Sequence, residues 1–217
     1  MVYTDVLASV ITCVVSYMVA WAIFDVLSHE ARLTRRATLS AVTSEIMNIV
    51  ILIWLAKIVT HVDILVYDPE VVLVYPCEAQ HLYMALFVEG LWLAYRVWKG
   101  RLDLTRFMSV AIPVVLMMSM INEAIHVVRH TSANSIVYLI ILVILWLTWL
   151  TLASRTPVWL WTHVLVLCWL SSMFTIQLCL AQVTFFGYAV HTTPLILAVV
   201  ALIINFVIVY RKEQRND

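Results

Sequence analysis

The sequence predicts an all-α, polytopic membrane protein: a single integral membrane domain, residues 1–217, with about seven transmembrane helices. Three observations carry this reading. The chain is 64% hydrophobic and 12% charged, with mean hydropathy +0.99, where soluble chains are roughly a quarter charged. Apolar stretches long enough to cross a bilayer fill most of its length, leaving no room for a separate soluble domain. Its Lys and Arg fall almost entirely on one side of those stretches. The same composition excludes intrinsic disorder and a collagen-like fibre. Four cysteines in so apolar a chain are no disulfide framework. A nucleic-acid partner is not expected.

A spanning helix needs about 20 predominantly apolar residues. The stretches that qualify are Val6–Leu27, Ser40–Thr60, Cys77–Val97, Phe107–Val127, Ile136–Ala153, Val158–Gln182 and Ala189–Tyr210. Short polar or turn-bearing pieces separate them: 28–32, Tyr67-Asp68-Pro69, Lys99-Gly100-Arg101, 129–132, 154–157 and Phe186-Gly187. Pro157 suits the first turn of the sixth helix, where its missing N–H costs nothing. Pro113 lies inside the fourth and predicts a kink. The first stretch has no basic flank and exceeds a signal-peptide core in length, so it reads as a retained span.

Orientation follows from the basic residues. With seven spans, Arg32, Arg35, Arg36, Arg96, Lys99, Arg101, Arg106, Arg155, Arg211, Lys212 and Arg215 share one side, and Arg129 stands alone on the other. Lys57 is intramembrane. The bias puts the N-terminus outside and the C-terminus in the cytoplasm.

Ionisable groups inside a membrane are costly and become candidates for function. Asp25 and Glu45 read as acids snorkelling near helix ends. Glu89 is deeper and must meet a polar partner, carry a proton or line a cavity. Lys57 and Glu123 lie at similar depth in the outer half, so an ion pair between helices two and four is the economical arrangement. With His126 they form the candidate catalytic set. His126 and His130 are four apart on one helical face, a spacing that can chelate a metal. Without a Glu beside the first His there is no metalloprotease motif, and no metal site is assigned. A haem would need a facing histidine, for which His61 and His81 are the candidates. The plain reading of the pair is a solvated interface.

Cys77 and Cys179 sit at the outer ends of helices three and six. A disulfide between them competes with the plainer reading of small buried residues, which also covers Cys168. No Cys-x-x-Cys exists for a dithiol relay. The nine tryptophans include Trp92, Trp98, Trp146, Trp149, Trp159 and Trp161; several of them sit near helix ends and read as headgroup-level anchors.

The segment Tyr67-Asp68-Pro69-Glu70-Val71-Val72-Leu73-Val74-Tyr75-Pro76, the basic turn from Trp98 to Arg106 and Phe107-Met108-Ser109-Val110-Ala111-Ile112-Pro113 together resemble the bacterial prolipoprotein diacylglyceryl transferase family. The likeness runs over roughly residues 50–125. It implies seven spans, the orientation derived above, a bacterial cell membrane, and transfer of a diacylglyceryl group from phosphatidylglycerol to a lipobox cysteine. That family uses a histidine in His-Gly-Gly and an arginine in Arg-x-Gly-Asn-Phe. Here the histidine falls near Gly90 with no His-Gly-Gly. The arginine falls near Met120, within Ser119-Met120-Ile121-Asn122-Glu123. Methionine cannot replace a guanidinium that grips phosphate. The resemblance therefore implies a divergent branch without the activity.

The expected function is a transferase-like membrane protein that binds a lipid, such as phosphatidylglycerol, or another membrane protein. An outward-facing polar cavity would hold it, through Tyr67, Asp68, His81, Glu89, Asn122 and His130. One alternative is an active phospholipid-dependent transferase with Glu123 or His126 as base and Lys57 as anion holder. Another is a haem or redox membrane subunit on His126, His130, His81 and the outer cysteines. No resident cofactor is expected unless that last reading holds.

Overall fold

A computed structural model describes residues 2–27, 32–67, 78–129, 133–153, 155–180, 184–185, 188–189 and 191–213. The elements are α1 (Val2–Leu27), α2 (Arg32–Thr60), α3 (Val62–Tyr67), α4 (Ala79–Trp98), α5 (Leu104–Arg129), α6 (Ala133–Leu152), α7 (Val158–Leu180), β1 (Thr184–Phe185), β2 (Tyr188–Ala189) and α8 (Thr192–Glu213). Among the described residues the fold is thus helical apart from one antiparallel hairpin, paired Thr184 to Ala189 and Phe185 to Tyr188. Four helices are long and apolar enough to cross a membrane among the described residues: Arg36–Thr60, Leu104–Arg129, Asn134–Leu152 and Val158–Cys179, with Ile11–Leu27 a shorter apolar helix.

Several boundaries differ from the sequence reading. The second helix begins at Arg32, so Arg32, Arg35 and Arg36 are helical rather than in a loop. At 29 residues it is about 43 Å long, well beyond the ~30 Å of a hydrocarbon core. Its basic end can project past the apolar zone without breaking a backbone hydrogen bond. The last helix starts at Thr192, because Tyr188 and Ala189 are spent on the hairpin. The short α3 follows a turn at His61 that the sequence did not announce. Pro113 sits buried inside a continuous α5.

The turn at Gly100 is where chain chemistry is clearest. Arg101 N–H donates to Arg96 C=O at 2.9 Å, and Gly100 N–H to Val97 C=O at 2.9 Å. This paired closure of a helix end needs a left-handed residue between them. Gly100 supplies it, at φ +66.

Helix α5 is the hub: it packs on α1, α2, α6 and α7, while α4 packs on α2 and α8 on α7. Its face Phe107, Val110, Val114, Met117 and Met118 is buried. Across it stand Leu39 and Val42 of α2, Leu142, Leu145 and Trp149 of α6, and Trp161 and Leu165 of α7. Trp149 and Trp161 are therefore core residues, not surface anchors, whereas Trp98 is 79% exposed and Trp92 48%. Cys168 is exposed rather than buried, and Cys179 is an exposed free thiol. Cys77 lies outside the described residues.

Burial runs opposite to that of a soluble protein. Phe87, Met18, Leu147, Leu178 and Leu197 face outward, while Glu45, Lys57, His81, Glu89 and Glu123 are buried. Water would reject that apolar surface, and lipid accepts it. The polar groups turn inward, where helix partners can satisfy them.

Candidate functional site

Hydrogen bonds fix how the helix ends meet. Thr60 of α2 lies beside His81 of α4, and Glu45 of α2 beside Arg96 of α4, so these helices run antiparallel. His126 of α5 lies beside Ser135 of α6. The Thr60 end of α2, the start of α4 and the end of α5 thereby fall on one side of the bundle.

On that side, the α2–α4 junction is a closed polar node. His81 is fully buried. Its Nδ1 accepts the backbone N–H of Glu78 at 2.9 Å. That leaves Nε2 to donate to Thr60 Oγ1 at 2.8 Å, while the Thr60 hydroxyl donates to Ala56 C=O at 3.0 Å or Lys57 C=O at 3.1 Å. A β-hydroxyl bonded back to its own helix leaves its lone pairs free for a neighbouring helix. The His61 ring adds contacts to Thr60 Oγ1 at 2.9 Å and to the His81 ring at 5.6 Å between centroids. Lys57, 2% exposed, places its ammonium 4.9 Å from the Trp54 ring centre, close enough to His81 to interact electrostatically.

The second node joins α5 to α6. Ser135 is buried, with Oγ 3.3 Å from His126 Nδ1, and it also hydrogen-bonds the Glu123 carboxyl. Glu123 is 5% exposed and interacts electrostatically with Tyr138 of α6, whose hydroxyl accepts the Trp169 indole N–H at 3.2 Å. Lys57 thus sits with His81 and Trp54, and Glu123 and His126 gather around Ser135.

Beyond this node, Met120, Ile121, Ala124, Ile125, Val128 and Arg129, all on α5, border an open apolar groove of about 350 Å³. A smaller cavity of about 210 Å³ lies in the opposite half, between α2, α4, α5 and α7. Glu45 and Glu89 are among the residues that border it, and its surface is almost wholly carbon, with Val42, Ile49, Leu93 and Phe107 in its walls. Glu45 is no snorkelling acid. It is 4% exposed, ion-paired to Arg96 through Oε1, and its Oε2 accepts the Asn48 amide at 3.2 Å. Glu89, 3% exposed, has an Oε1 without a hydrogen-bond partner among the described residues.

Other sequence candidates are dispersed. Tyr67 is 90% exposed at the end of α3, Asn122 is half-buried on α5, and Asp25 is half-buried on α1. Asp68 and His130 lie outside the described residues. Gly90, where the histidine of the resembling family falls, is on the exposed face of α4, with open space around it. Met120, where its arginine falls, lines the apolar groove.

Sequence reasoning missed Thr60, Ser135 and Arg96. Arg96 had a readable signal: it follows Glu89 by seven positions, two turns along the same helical face. Thr60 and Ser135 had none, since their roles exist only once helices meet. The chain matches no family model, and neither a curated protein nor a solved structure is found to be similar to it.

Proposed function

We infer that this is a seven-span membrane protein, N-terminus outside and C-terminus cytoplasmic, that binds an anionic phospholipid from the outer leaflet and does not transfer its diacylglyceryl group. The observation that carries the reading is the groove on α5. Its walls are carbon, and Arg129, the last residue of α5, borders it. From Met120 to Arg129 a helix rises ~14 Å, close to the ~15 Å of one leaflet's hydrocarbon. An acyl chain along the walls with its phosphate on Arg129 matches both chemistry and length. Arg129 is also the one arginine that the basic bias leaves outside.

Loss of transfer activity rests on the two positions where the resembling family keeps its machinery. The outward-facing Gly90 and the groove-lining Met120 offer neither base nor phosphate grip.

The test is the lipid retained by the purified full-length protein, read by native mass spectrometry from mixed phosphatidylglycerol and phosphatidylcholine membranes. The expected result is retained phosphatidylglycerol, lost in Arg129→Gln and in Ile125→Trp. Equal retention of both lipids, or retention unchanged in both variants, would overturn it.

A further inference from the structure

We propose that His81 is a proton-operated latch: neutral, it fastens the first turn of α4 to the Thr60 end of α2, and protonated it releases them.

Hydrogen bonds fix the tautomer of His81. Glu78 offers its backbone N–H to Nδ1 at 2.9 Å, so Nδ1 is the unprotonated nitrogen. Nε2 then carries the proton and donates to Thr60 Oγ1 at 2.8 Å. Through Nδ1 the ring caps an N–H that the start of a helix leaves without a helical partner. Through Nε2 it crosses to α2. The side chain is fully buried, so water does not stand by to replace either bond.

A second proton leaves this arrangement without a solution. An imidazolium donates at both nitrogens, so Nδ1–H would point at the Glu78 N–H, donor against donor. The groups that act on it electrostatically are Lys57 and His61 of α2 and Glu78 just before α4. Lys57 and a charged His61 repel the imidazolium. Glu78 attracts it, but Glu78 Oε2 already accepts the Gln80 amide at 2.8 Å, and bringing that carboxylate to Nδ1 means remaking the turn. On the β2 side, the His191 ring meets the ring of Tyr83, 6.4 Å between centroids. A buried histidine held neutral by its bonds charges only as the structure around it gives way.

His61 shows the contrast. Its Nδ1 lies 3.1 Å from Lys57 C=O, which only accepts, so that nitrogen bears a proton in the neutral and the charged ring alike. Protonating His61 keeps its bond; protonating His81 breaks one. Release would also reach beyond α2. Two residues on, the Tyr83 hydroxyl accepts the backbone N–H of His191, just ahead of α8, at 2.8 Å. The latch is independent of lipid at Arg129 and of which face is outside.

The test uses the full-length, cysteine-free protein in nanodiscs, with spin labels at Val59 of α2 and Met84 of α4, both exposed. Between about pH 8 and about pH 5, the range in which histidine titrates, one distance should give way to a second, longer one. His81→Gln offers an acceptor and a donor with no proton to gain, and should lose this response. His61→Gln and Glu78→Gln should keep it. In the unsubstituted protein labelled with ¹⁵N-histidine, His81 should show a bare Nδ1 at about pH 8 that gains its proton over the interval in which the distance changes. An unchanged distance, a response that survives in His81→Gln or vanishes in His61→Gln, or an Nδ1 already protonated at about pH 8 would overturn the proposal.

Discussion

Arg96 of α4 holds Glu45 of α2 in an ion pair across 51 positions of chain. The Glu45 side chain is 5% exposed and that of Arg96 25%, so the pair is largely withdrawn from water, where attraction is strong only if both partners stay. Arg96 is also the carbonyl that closes the Gly100 turn. One residue therefore ends α4 and ties it to α2. Replacing Arg96 by Gln should cost about 3 kcal/mol, because Glu45 is left as an uncompensated charge. The double variant Arg96→Gln with Glu45→Gln should recover most of that loss. Thermal unfolding of the four-member mutant cycle in one detergent checks this; a double variant no more stable than Arg96→Gln would show the pair contributes nothing.

The inverted burial pattern makes a second prediction, about one helix with two faces. Leu142 of α6 is fully buried and Leu147, five residues on, is 52% exposed. Truncating Leu142 to Ala opens a cavity in the α5–α6–α7 core and should cost about 2–5 kcal/mol. Leu147→Ala loses only contact with lipid, as apolar as leucine itself, and should cost well under 1 kcal/mol. Equal losses in the two variants would mean that α6 is turned the other way.

How far these features could be read from the chain depends on range. Helix positions were legible because an apolar run of spanning length has few alternatives, and Lys99-Gly100-Arg101 was legible as a turn because only glycine takes a positive φ cheaply. Helix ends were not. Arg32 and Ser40 differ in hydropathy, yet the backbone keeps its helical hydrogen bonds through both. Trp149 and Trp161 looked like interface anchors from their place near helix ends, but tertiary packing buries them against Phe24 and the core of α5. The deep position of Glu89 singled it out at once. Its cavity did not, since four helices must assemble before that space exists.

Orientation gives a third expected outcome. Tyr67 at the end of α3 is 90% exposed and, with the basic bias toward the cytoplasm, should lie outside. In a cysteine-free background, Tyr67→Cys should react with a membrane-impermeant maleimide on intact cells, and a reporter fused after Asp217 should read as cytoplasmic. Labelling only after permeabilisation would reverse the bundle and place Arg129 on the inner face.

The last prediction concerns catalysis. Diacylglyceryl transfer needs a grip on the anionic headgroup and a base beside the acceptor thiol. Lys57 can hold a phosphate as a point charge, and Glu123 or His126 can take a proton. These groups already have occupations. The Lys57 ammonium stacks over Trp54 beside the Thr60–His81 node, and Ser135 engages both His126 and Glu123. The contacts described for Lys57 belong to the α2–α4 junction and those for Glu123 and His126 to α5–α6, whereas a transfer site must bring headgroup and thiol to one point. Expressed at normal level in a strain depleted of its own prolipoprotein diacylglyceryl transferase, the correctly inserted protein should not restore growth. Growth that disappears with Lys57→Gln or His126→Ala would overturn this and assign those residues to a working active site. Without growth, and with phosphatidylglycerol still retained at Arg129, lipid binding stands without lipid chemistry.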